Sequence, residues 1–251
     1  MSIRFSVEQA IATLAFSRPE KKNAITAAMY QAAAEALAEA DASDAVRVII
    51  LTGDGDAFTA GNDLDDFLRN PPQGDDTPVS RFMHTLLATS TPVIAAVPGI
   101  AVGIGTTLLM HCDLVYASAR AKFAMPFTQL GLCPEFASSV LLPRLAGYQR
   151  AAEKLLLGEA FDAAEAERMG LVNRILPVEE LMSFTRAQAT KLAALPAQSL
   201  RISKQLMKAE TQGAIASAMQ SEMQHFTQLL QGADAKEAFS AFLEKRKPVF
   251  R

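Results

Sequence analysis

The feature of this sequence that most constrains the fold is a long uncharged stretch near the middle of the chain. Residues 82–112 contain no Asp, Glu, Lys or Arg, and a run of that length could cross a bilayer. However, Pro92, Pro98 and glycines at 99, 103 and 105 interrupt it, and these residues would break a continuous helix. We therefore predict a buried strand, a tight glycine turn and a buried helix, and not a membrane span.

The segments around this stretch predict alternating strands and helices. Alternating or β-branched runs indicate strands at 11–16, 46–51, 92–97 and 114–117. Helical spacing after a Thr26 N-cap indicates a helix over 27–40, and further helices are expected from 63–67 and at 105–111. Residues 69–78, rich in Pro and Asp, predict a mobile loop. This order predicts an α/β fold with a mainly parallel sheet.

The second half of the chain predicts helices with no strand between them. Helical patterns cover residues 178–195, 197–208, 213–230 and 233–245. A helical tail of this length exceeds what is needed to cover one edge of its own core. We therefore expect it to pack against another subunit.

Composition excludes several classes of protein. Half of the residues are hydrophobic and a fifth are charged, which is typical of a folded chain. Lys plus Arg number 24 and Asp plus Glu number 27, giving a net charge of −3 and no global attraction to nucleic acid or anionic membranes. Two cysteines without metal-ligand spacing, and an N-terminus unlike a signal peptide, predict a reduced, cytoplasmic protein.

Several common catalytic motifs are missing from the sequence. It has no GxSxG elbow, P-loop or HExxH pattern. The glycines at 99, 103 and 105 follow GxxxGxG, which differs from the dinucleotide-binding pattern, so we do not expect a Rossmann cofactor site. His84 and His111 lie in the uncharged stretch and are expected to be hydrogen-bonded core residues.

Two glycine turns form a candidate pair. Residues 57–64 (AFTAGNDL) and 98–106 (PGIAVGIGT) each run from a loop into a helix. Such turns can present free backbone N–H groups at a helix N-terminus. Two of them converging on one oxygen would form an oxyanion hole, with each donor contributing on the order of 3 kcal/mol. Glycine spacing alone also fits ordinary turns.

Six segments, in order along the chain, resemble the crotonase superfamily (enoyl-CoA hydratase/isomerase). They are residues 17–24 (SRPEKKNA), 60–64 (AGNDL), 99–105 (GIAVGIG), 158–163 (GEAFDA), 170–172 (GLV) and 244–247 (EKRK). The resemblance implies a spiral of ββα repeats, with an acyl-CoA-binding core at 1–195 and a C-terminal helical trimerisation region at 196–251. It also implies an acyl-CoA thioester substrate, no cofactor beyond the coenzyme A of that substrate, no metal, and a homotrimer or dimer of trimers.

The resemblance also implies particular site residues. The thioester oxygen would lie between the backbone N–H groups of Asn62 and Ile104, and Lys245 would meet the phosphates of coenzyme A. The remaining binding residues would lie along the coenzyme: Lys22, Asn23, Ala24, Ala60, Gly61, Asp63, Leu64 and Gly103.

The sequence departs from the hydratases at their two glutamates. Those positions hold Thr107 and Phe127, which cannot act as carboxylate acids or bases. Instead, residues 130–139 (LGLCPEFASS) resemble the peroxisomal-type Δ3,Δ2-enoyl-CoA isomerases, which implies that Glu135 is the catalytic base. Apolar neighbours, Phe127, Leu132 and Phe136, would desolvate Glu135 and raise its pKa.

Several alternatives stay open at this point. Pro134 and Glu135 could simply open a helix, where proline and an acidic side chain are both favoured. The chain could instead be a hydratase, could catalyse other enolate chemistry, or could be a non-catalytic acyl-CoA-binding scaffold. The sequence does not fix the acyl chain length.

Overall fold

The structure, a computed structural model, describes residues 2–69 and 76–250. The strands are β1 (Ile3–Glu8), β2 (Ile11–Phe16), β3 (Val48–Gly53), β4 (Ala57–Thr59), β5 (Val93–Val97), β6 (Ile100–Val102), β7 (Leu114–Ser118), β8 (Lys122–Ala124), β9 (Phe161–Asp162) and β10 (Arg174–Leu176). The helices are α1 (Ala27–Ala42), α2 (Leu64–Arg69), α3 (Pro78–Ala88), α4 (Ile104–Thr107), α5 (Ser138–Ala146), α6 (Tyr148–Ala152), α7 (Ala163–Arg168), α8 (Val178–Ala193), α9 (Ala197–Ala209), α10 (Gln212–Leu230) and α11 (Ala233–Leu243). Short 3-10 helices occupy Pro19–Lys21, Leu108–His111 and Thr128–Leu130.

The larger sheet has the order β1-β2-β3-β5-β7-β10. β1 is antiparallel to β2, and the other neighbours are parallel. Strand β3 is buried on both faces. Its Ile49 and Leu51 pack in the main core with α1 and α3, whereas Val48 and Ile50 pack with α8 on the opposite face. Because both faces are buried, the sequence of this strand is a nearly continuous apolar run.

The smaller sheet has the order β4-β6-β8-β9, in which β4, β6 and β8 are parallel. Its strands have only two or three residues each, so their alternation is too short to be recognised in the sequence. This sheet decides where the glycine turns lie. Because β4 and β6 are parallel neighbours, the chain leaves both of them at the same edge.

The predicted α/β fold with a parallel sheet is confirmed. The four predicted strands are present, and the uncharged stretch contains most of α3 and all of β5, β6 and α4. The antiparallel β1 was not predicted. The predicted loop over 69–78 falls mostly on residues 70–75, which lie outside the described residues. Within residues 2–69 and 76–250, no helix is both long and apolar enough to cross a membrane.

The C-terminal helices are present close to their predicted positions. Helix α10 packs on α5. Helix α11 packs against the body of the same chain, and its Ala235 and Phe239 are part of the main core. Helix α9 leaves Ile202, Leu206 and Met207 exposed. The division of the chain at residue 195 stays a prediction, as does the contact with another subunit.

Candidate active site

The two glycine turns lie against each other at the carboxyl edge of the smaller sheet. Gly61 (φ +87°) follows β4, and Gly103 (φ +56°) follows β6. A Cβ atom on Gly61 would lie 2.8 Å from the Val102 carbonyl oxygen and 4.0 Å from the Gly103 nitrogen. This close approach requires glycine at position 61, and both glycines have a positive φ that side chains disfavour. The juxtaposition expected from the sequence is therefore present.

Each turn has at least one backbone N–H group without an acceptor among the described residues. The Ile25 N–H donates to the Gly61 oxygen and the Asp63 N–H donates to the Ile25 oxygen, while the Asn62 N–H between these bonds has no acceptor in the described residues. Ile104 is the first residue of α4, so its N–H has no partner within the helix. Asn62 and Ile104 thus supply two unpaired N–H groups on adjoining turns, as an oxyanion hole requires.

Side chains around the first turn fix its shape. The Tyr30 hydroxyl donates to Asn62 Oδ1 at 2.5 Å. Asp63 accepts from the Asp66 N–H, which caps α2, and pairs with Arg18. Burial opposes the ionisation of Asp63, but these hydrogen bonds and the Arg18 charge outweigh it and lower its pKa. Asp63 is therefore a charged capping residue and is poorly suited to act as a base.

Glu135 lies in the loop before α5 and is only 9% exposed. Thr107 Oγ1 donates to Glu135 Oε1 at 3.2 Å. Burial raises the pKa of Glu135 to about 8, with a further increase from the negative charge of Glu222 and an opposing effect from the Thr107 hydrogen bond. Because α5 begins at Ser138, the alternative that Pro134 and Glu135 open a helix is wrong.

A cavity of about 940 Å³ joins these groups. Its wall contains Asn62, Ile104 and Glu135 together with six further predicted residues: Ala24, Ala60, Gly61, Asp63, Leu64 and Gly103. Phe127 and Leu132 also line it, and both are buried, as is Phe136. The desolvating environment predicted for Glu135 is therefore present.

Three predicted binding residues lie outside the cavity wall. Asn23 is fully buried, and its side chain accepts from the Arg18 N–H and donates to the carbonyls of Asp54 and Ala57. These hydrogen bonds connect the loop that contains Arg18 and Asn23 to the segment that joins β3 to β4 and to the first residue of β4. Lys22 and Lys245 are exposed. The cations on the wall are instead their neighbours Lys21, Arg246 and Lys247.

Three residues that contact the site or the Glu135 loop were given no role in it from the sequence. Thr107 hydrogen-bonds to Glu135, and the Tyr30 hydroxyl donates to Asn62 Oδ1. Glu222 is buried on α10 beside Ile215 and Ala218. The spacing of these three α10 residues places Glu222 on a buried helix face, a signal that was available in the sequence.

The two histidines of the uncharged stretch differ. His111 is buried and its Nε2 lies 2.8 Å from the Phe136 oxygen, as predicted. The prediction for His84 is wrong, because this residue is exposed on α3. In the part of the chain that the structure describes, no group of three or more His, Cys, Asp or Glu side chains could hold a metal ion.

The arrangement suits proton transfer next to a carbonyl group. A carboxyl group with a pKa of about 8 can exchange protons near neutral pH. Two unpaired N–H groups on the same cavity wall can stabilise negative charge on an oxygen. Together they can remove a proton from the carbon beside a carbonyl and stabilise the resulting enolate.

Comparisons with known proteins agree with this geometry. The sequence profile of the family described as "Enoyl-CoA hydratase/isomerase" matches residues 6–251. The chain is 35% identical over 253 residues to 1,2-epoxyphenylacetyl-CoA isomerase of Escherichia coli K12, covering 97% of this chain and 96% of that protein. It is 33% identical over 250 residues to the probable enoyl-CoA hydratase echA8 of Mycobacterium tuberculosis, covering 97% and 95%.

Two further similarities extend the comparison. Enoyl-CoA delta isomerase 2 of Rattus norvegicus is 39% identical over 207 residues, covering 80% of this chain and 53% of that protein. The crystal structure of an enoyl-CoA hydratase/isomerase from Pseudoalteromonas atlantica T6c superimposes with a TM-score of 0.95 at 39% identity, covering 100% of both chains. The spiral fold expected from the sequence resemblance is thus confirmed.

Proposed function

Because the chain belongs to the enoyl-CoA hydratase/isomerase family of acyl-CoA enzymes, we propose that it moves the double bond of a 3-enoyl-CoA to the 2-trans position, with Glu135 as its single proton carrier. One observation carries the proposal. A buried carboxyl group, with a pKa raised to about 8, shares a cavity wall with two unpaired N–H groups. The relatives include both isomerases and hydratases. The choice between the two reactions therefore rests on the residues at the site of this chain.

Isomerisation fits these residues better than hydration does. Addition of water requires one group to deprotonate the water and another to protonate the substrate carbon. The two positions that hold glutamates in the hydratases hold Thr107 and Phe127 here, and the Thr107 hydroxyl is bonded to Glu135. Moving a double bond requires only one group that accepts a proton and returns it.

The proposed reaction proceeds in two proton transfers. The thioester oxygen accepts hydrogen bonds from the N–H groups of Asn62 and Ile104. Glu135 removes a proton from C2, and the electron pair of that C–H bond delocalises through a dienolate onto the thioester oxygen. Glu135 then returns the proton to C4, and the double bond moves from C3–C4 to C2–C3. The overall reaction consumes no water and leaves Glu135 ionised.

We further propose that the coenzyme A phosphates contact the cations on the cavity wall. Lys21, Arg246 and Lys247 line the cavity, whereas Lys22 and Lys245 lie beside it. Arg246 is paired with Glu237 and Glu244, so Lys21 and Lys247 are the better candidates for a phosphate. The homotrimer implied by the resemblance also belongs to this proposal, and the exposed apolar side chains of α9 support it.

Turnover of a small panel of esters tests the proposal. The purified protein is incubated with 3-enoyl-CoA esters, and the conjugated 2-enoyl product is followed by its absorbance. We expect turnover by the wild type and a loss of at least about 1,000-fold in Glu135→Gln. Glu210→Gln, which removes an exposed carboxylate, is the matched control and should keep wild-type activity.

Other outcomes identify the alternatives. Full activity in Glu135→Gln would reject the assignment of the base. Loss of the conjugated absorbance of crotonyl-CoA, without turnover of 3-enoyl esters, would indicate a hydratase. Tight binding of coenzyme A esters with no turnover of any of them would indicate an acyl-CoA-binding scaffold.

A further inference from the structure

The loop that carries Glu135 has an unusual backbone. The next two residues, Phe136 (φ 55°) and Ala137 (φ 57°), both adopt the left-handed conformation although neither is glycine. Such residues cost of order 1–3 kcal/mol each and persist only where their surroundings hold them. The groups that hold this turn therefore determine where the Glu135 side chain points.

Glu222 holds the turn from α10. Its Oε2 accepts from the Ala137 N–H at 2.6 Å, and its Oε1 accepts from the Ser139 N–H at 3.0 Å. These donors lie at the start of α5, where backbone N–H groups have no acceptor within the helix. Each carboxylate oxygen thus binds one backbone group of the turn, and the side chain joins two segments more than 80 residues apart in the sequence.

His111 holds the turn from the other side. The Phe136 carbonyl can only accept, so His111 Nε2 must carry the proton in their 2.8 Å hydrogen bond. The His111 and Phe136 rings also stack with their centroids 3.8 Å apart. Burial lowers the pKa of His111 to about 4, so this residue is neutral near pH 7 and adds no charge to the site.

Glu222 also faces the same space as Glu135. Both side chains line a small cavity of about 40 Å³. Besides Asn62, the rest of its wall is apolar and consists of Phe67, Val79, Met83, Phe136, Met219, Met223 and Phe226. The negative charge of Glu222 raises the pKa of Glu135, in addition to the larger effect of burial.

We propose that Glu222 is a positioning residue for Glu135, which orients the base through the left-handed turn and makes it more basic through its own negative charge. This inference rests on the proposed function, because it assigns Glu222 a role in the use of Glu135 as a base. We assign no proton transfer to Glu222, because its two oxygens accept from the backbone of the turn.

The other titratable groups near Glu135 do not supply this charge. Tyr30 on α1 is neutral, because burial raises its pKa well above the ordinary value. Burial raises the pKa of Cys133, in the same loop, to about 11, so this thiol is also neutral. Thr107 contributes a hydrogen bond that stabilises ionised Glu135. Burial raises the pKa of Glu222 itself, while its bonds to the Ala137 and Ser139 N–H groups favour its charged form.

Two variants separate charge from geometry. Glu222→Gln removes the negative charge. The glutamine side chain has one oxygen, so one of the two backbone N–H groups faces its NH₂ group and loses its acceptor. We expect the acid limb of the pH–rate profile to move down by about one pH unit, because a nearby like charge has been removed. Glu222→Asp keeps the charge on a shorter side chain. Here we expect the acid limb to stay in place while the high-pH plateau falls about tenfold, because the base is displaced.

Infrared spectroscopy provides a readout that does not depend on activity. The carbonyl band of protonated Glu135, isolated by subtracting the spectrum of Glu135→Gln, is titrated in the wild type, in both Glu222 variants and in the Glu210→Gln control. We expect the titration midpoint of Glu135 to fall only in Glu222→Gln. A lowered midpoint in a protein that turns over no enoyl ester would confirm the effect of the Glu222 charge on Glu135 and would reject the proposed function, so the two failures are distinguishable.

The inference has clear contrary outcomes. A reduced plateau in Glu222→Gln with an unmoved acid limb and an unmoved infrared midpoint would show that Glu222 is merely structural. A shift of similar size in Glu210→Gln would show that any lost carboxylate has this effect. If Glu222→Gln fails to fold, a Glu222→Asp variant with the wild-type plateau would overturn the positioning role by itself.

Discussion

Replacing Glu135 by glutamine should make the folded protein more stable while removing its activity. The Glu135 carboxyl group has a folded pKa of about 8, against an ordinary value of 4.5. A group with a raised folded pKa holds its proton more tightly in the native state than in the unfolded state. The contribution of Glu135 to stability is therefore fully present below about pH 4.5 and is lost progressively as pH rises toward 8. Glutamine has no such proton to lose.

The size of the effect follows from this gap. About 3.5 pH units, at about 1.4 kcal/mol per unit, correspond to about 5 kcal/mol in the free energy of unfolding. Glu135→Gln should thus match the wild type near pH 4, exceed it by about 3 kcal/mol at pH 7, and exceed it by about 5 kcal/mol above pH 8.5. The amide keeps an oxygen that can accept from Thr107, so this contact is preserved.

Urea unfolding at one protein concentration measures the effect. Wild type and variant are compared from pH 4.5 to 9 in the absence of coenzyme A esters, because a ligand or a change in subunit concentration would add its own contribution. The exposed control Glu210→Gln should follow the wild type throughout. Identical pH slopes for wild type and Glu135→Gln would refute the reasoning, because Glu135 would then titrate alike in the folded and unfolded states.

Two further predictions concern the groups beside Glu135 and the oxyanion turn. Thr107→Val keeps the shape of the side chain but removes the hydroxyl that stabilises ionised Glu135. The acid limb of the pH–rate profile should therefore move up by roughly half to one pH unit; a downward shift would contradict this sign. Gly61→Ala places a Cβ 2.8 Å from the Val102 oxygen at a φ of +87°. We expect a stability loss of about 1–3 kcal/mol in urea and a fall in kcat of about 100-fold or more, and wild-type kcat would show that the turn does not place the Asn62 N–H.

Much of the fold could be predicted because it depends on local patterns. Strand β3 is marked by its β-branched run, α1 by its Thr26 cap, and the glycine turns by their interruption of the uncharged stretch. The short strands β4, β6 and β8 were missed, since three residues are too few to show a period. They form because their backbone groups pair with neighbouring segments that are distant in the sequence.

The candidate site shows the same division. Motif resemblance predicted Asn62, Ile104 and Glu135 as site residues, and all three line one cavity. The contact of Lys245 with the phosphates stays a prediction, and the cations of this segment that line the cavity are Arg246 and Lys247. Which of several neighbouring lysines and arginines faces a cavity depends on how the last turn of α11 ends. The chain turns just after α11, where Lys245 has a φ of 56°, and tertiary packing determines this turn.

The sequence by itself determined the family, the two glycine turns and the presence of one acidic residue in a mostly apolar segment, because each can be recognised in a short run of consecutive residues. Only the tertiary structure decided the environment of that acid. It placed Thr107 against Glu135 and brought Glu222 to the turn beside it. These contacts join segments far apart along the chain, so they exist only after the two sheets and α10 have packed. The pKa of a buried carboxyl group is a property of that packing, and no local pattern encodes it.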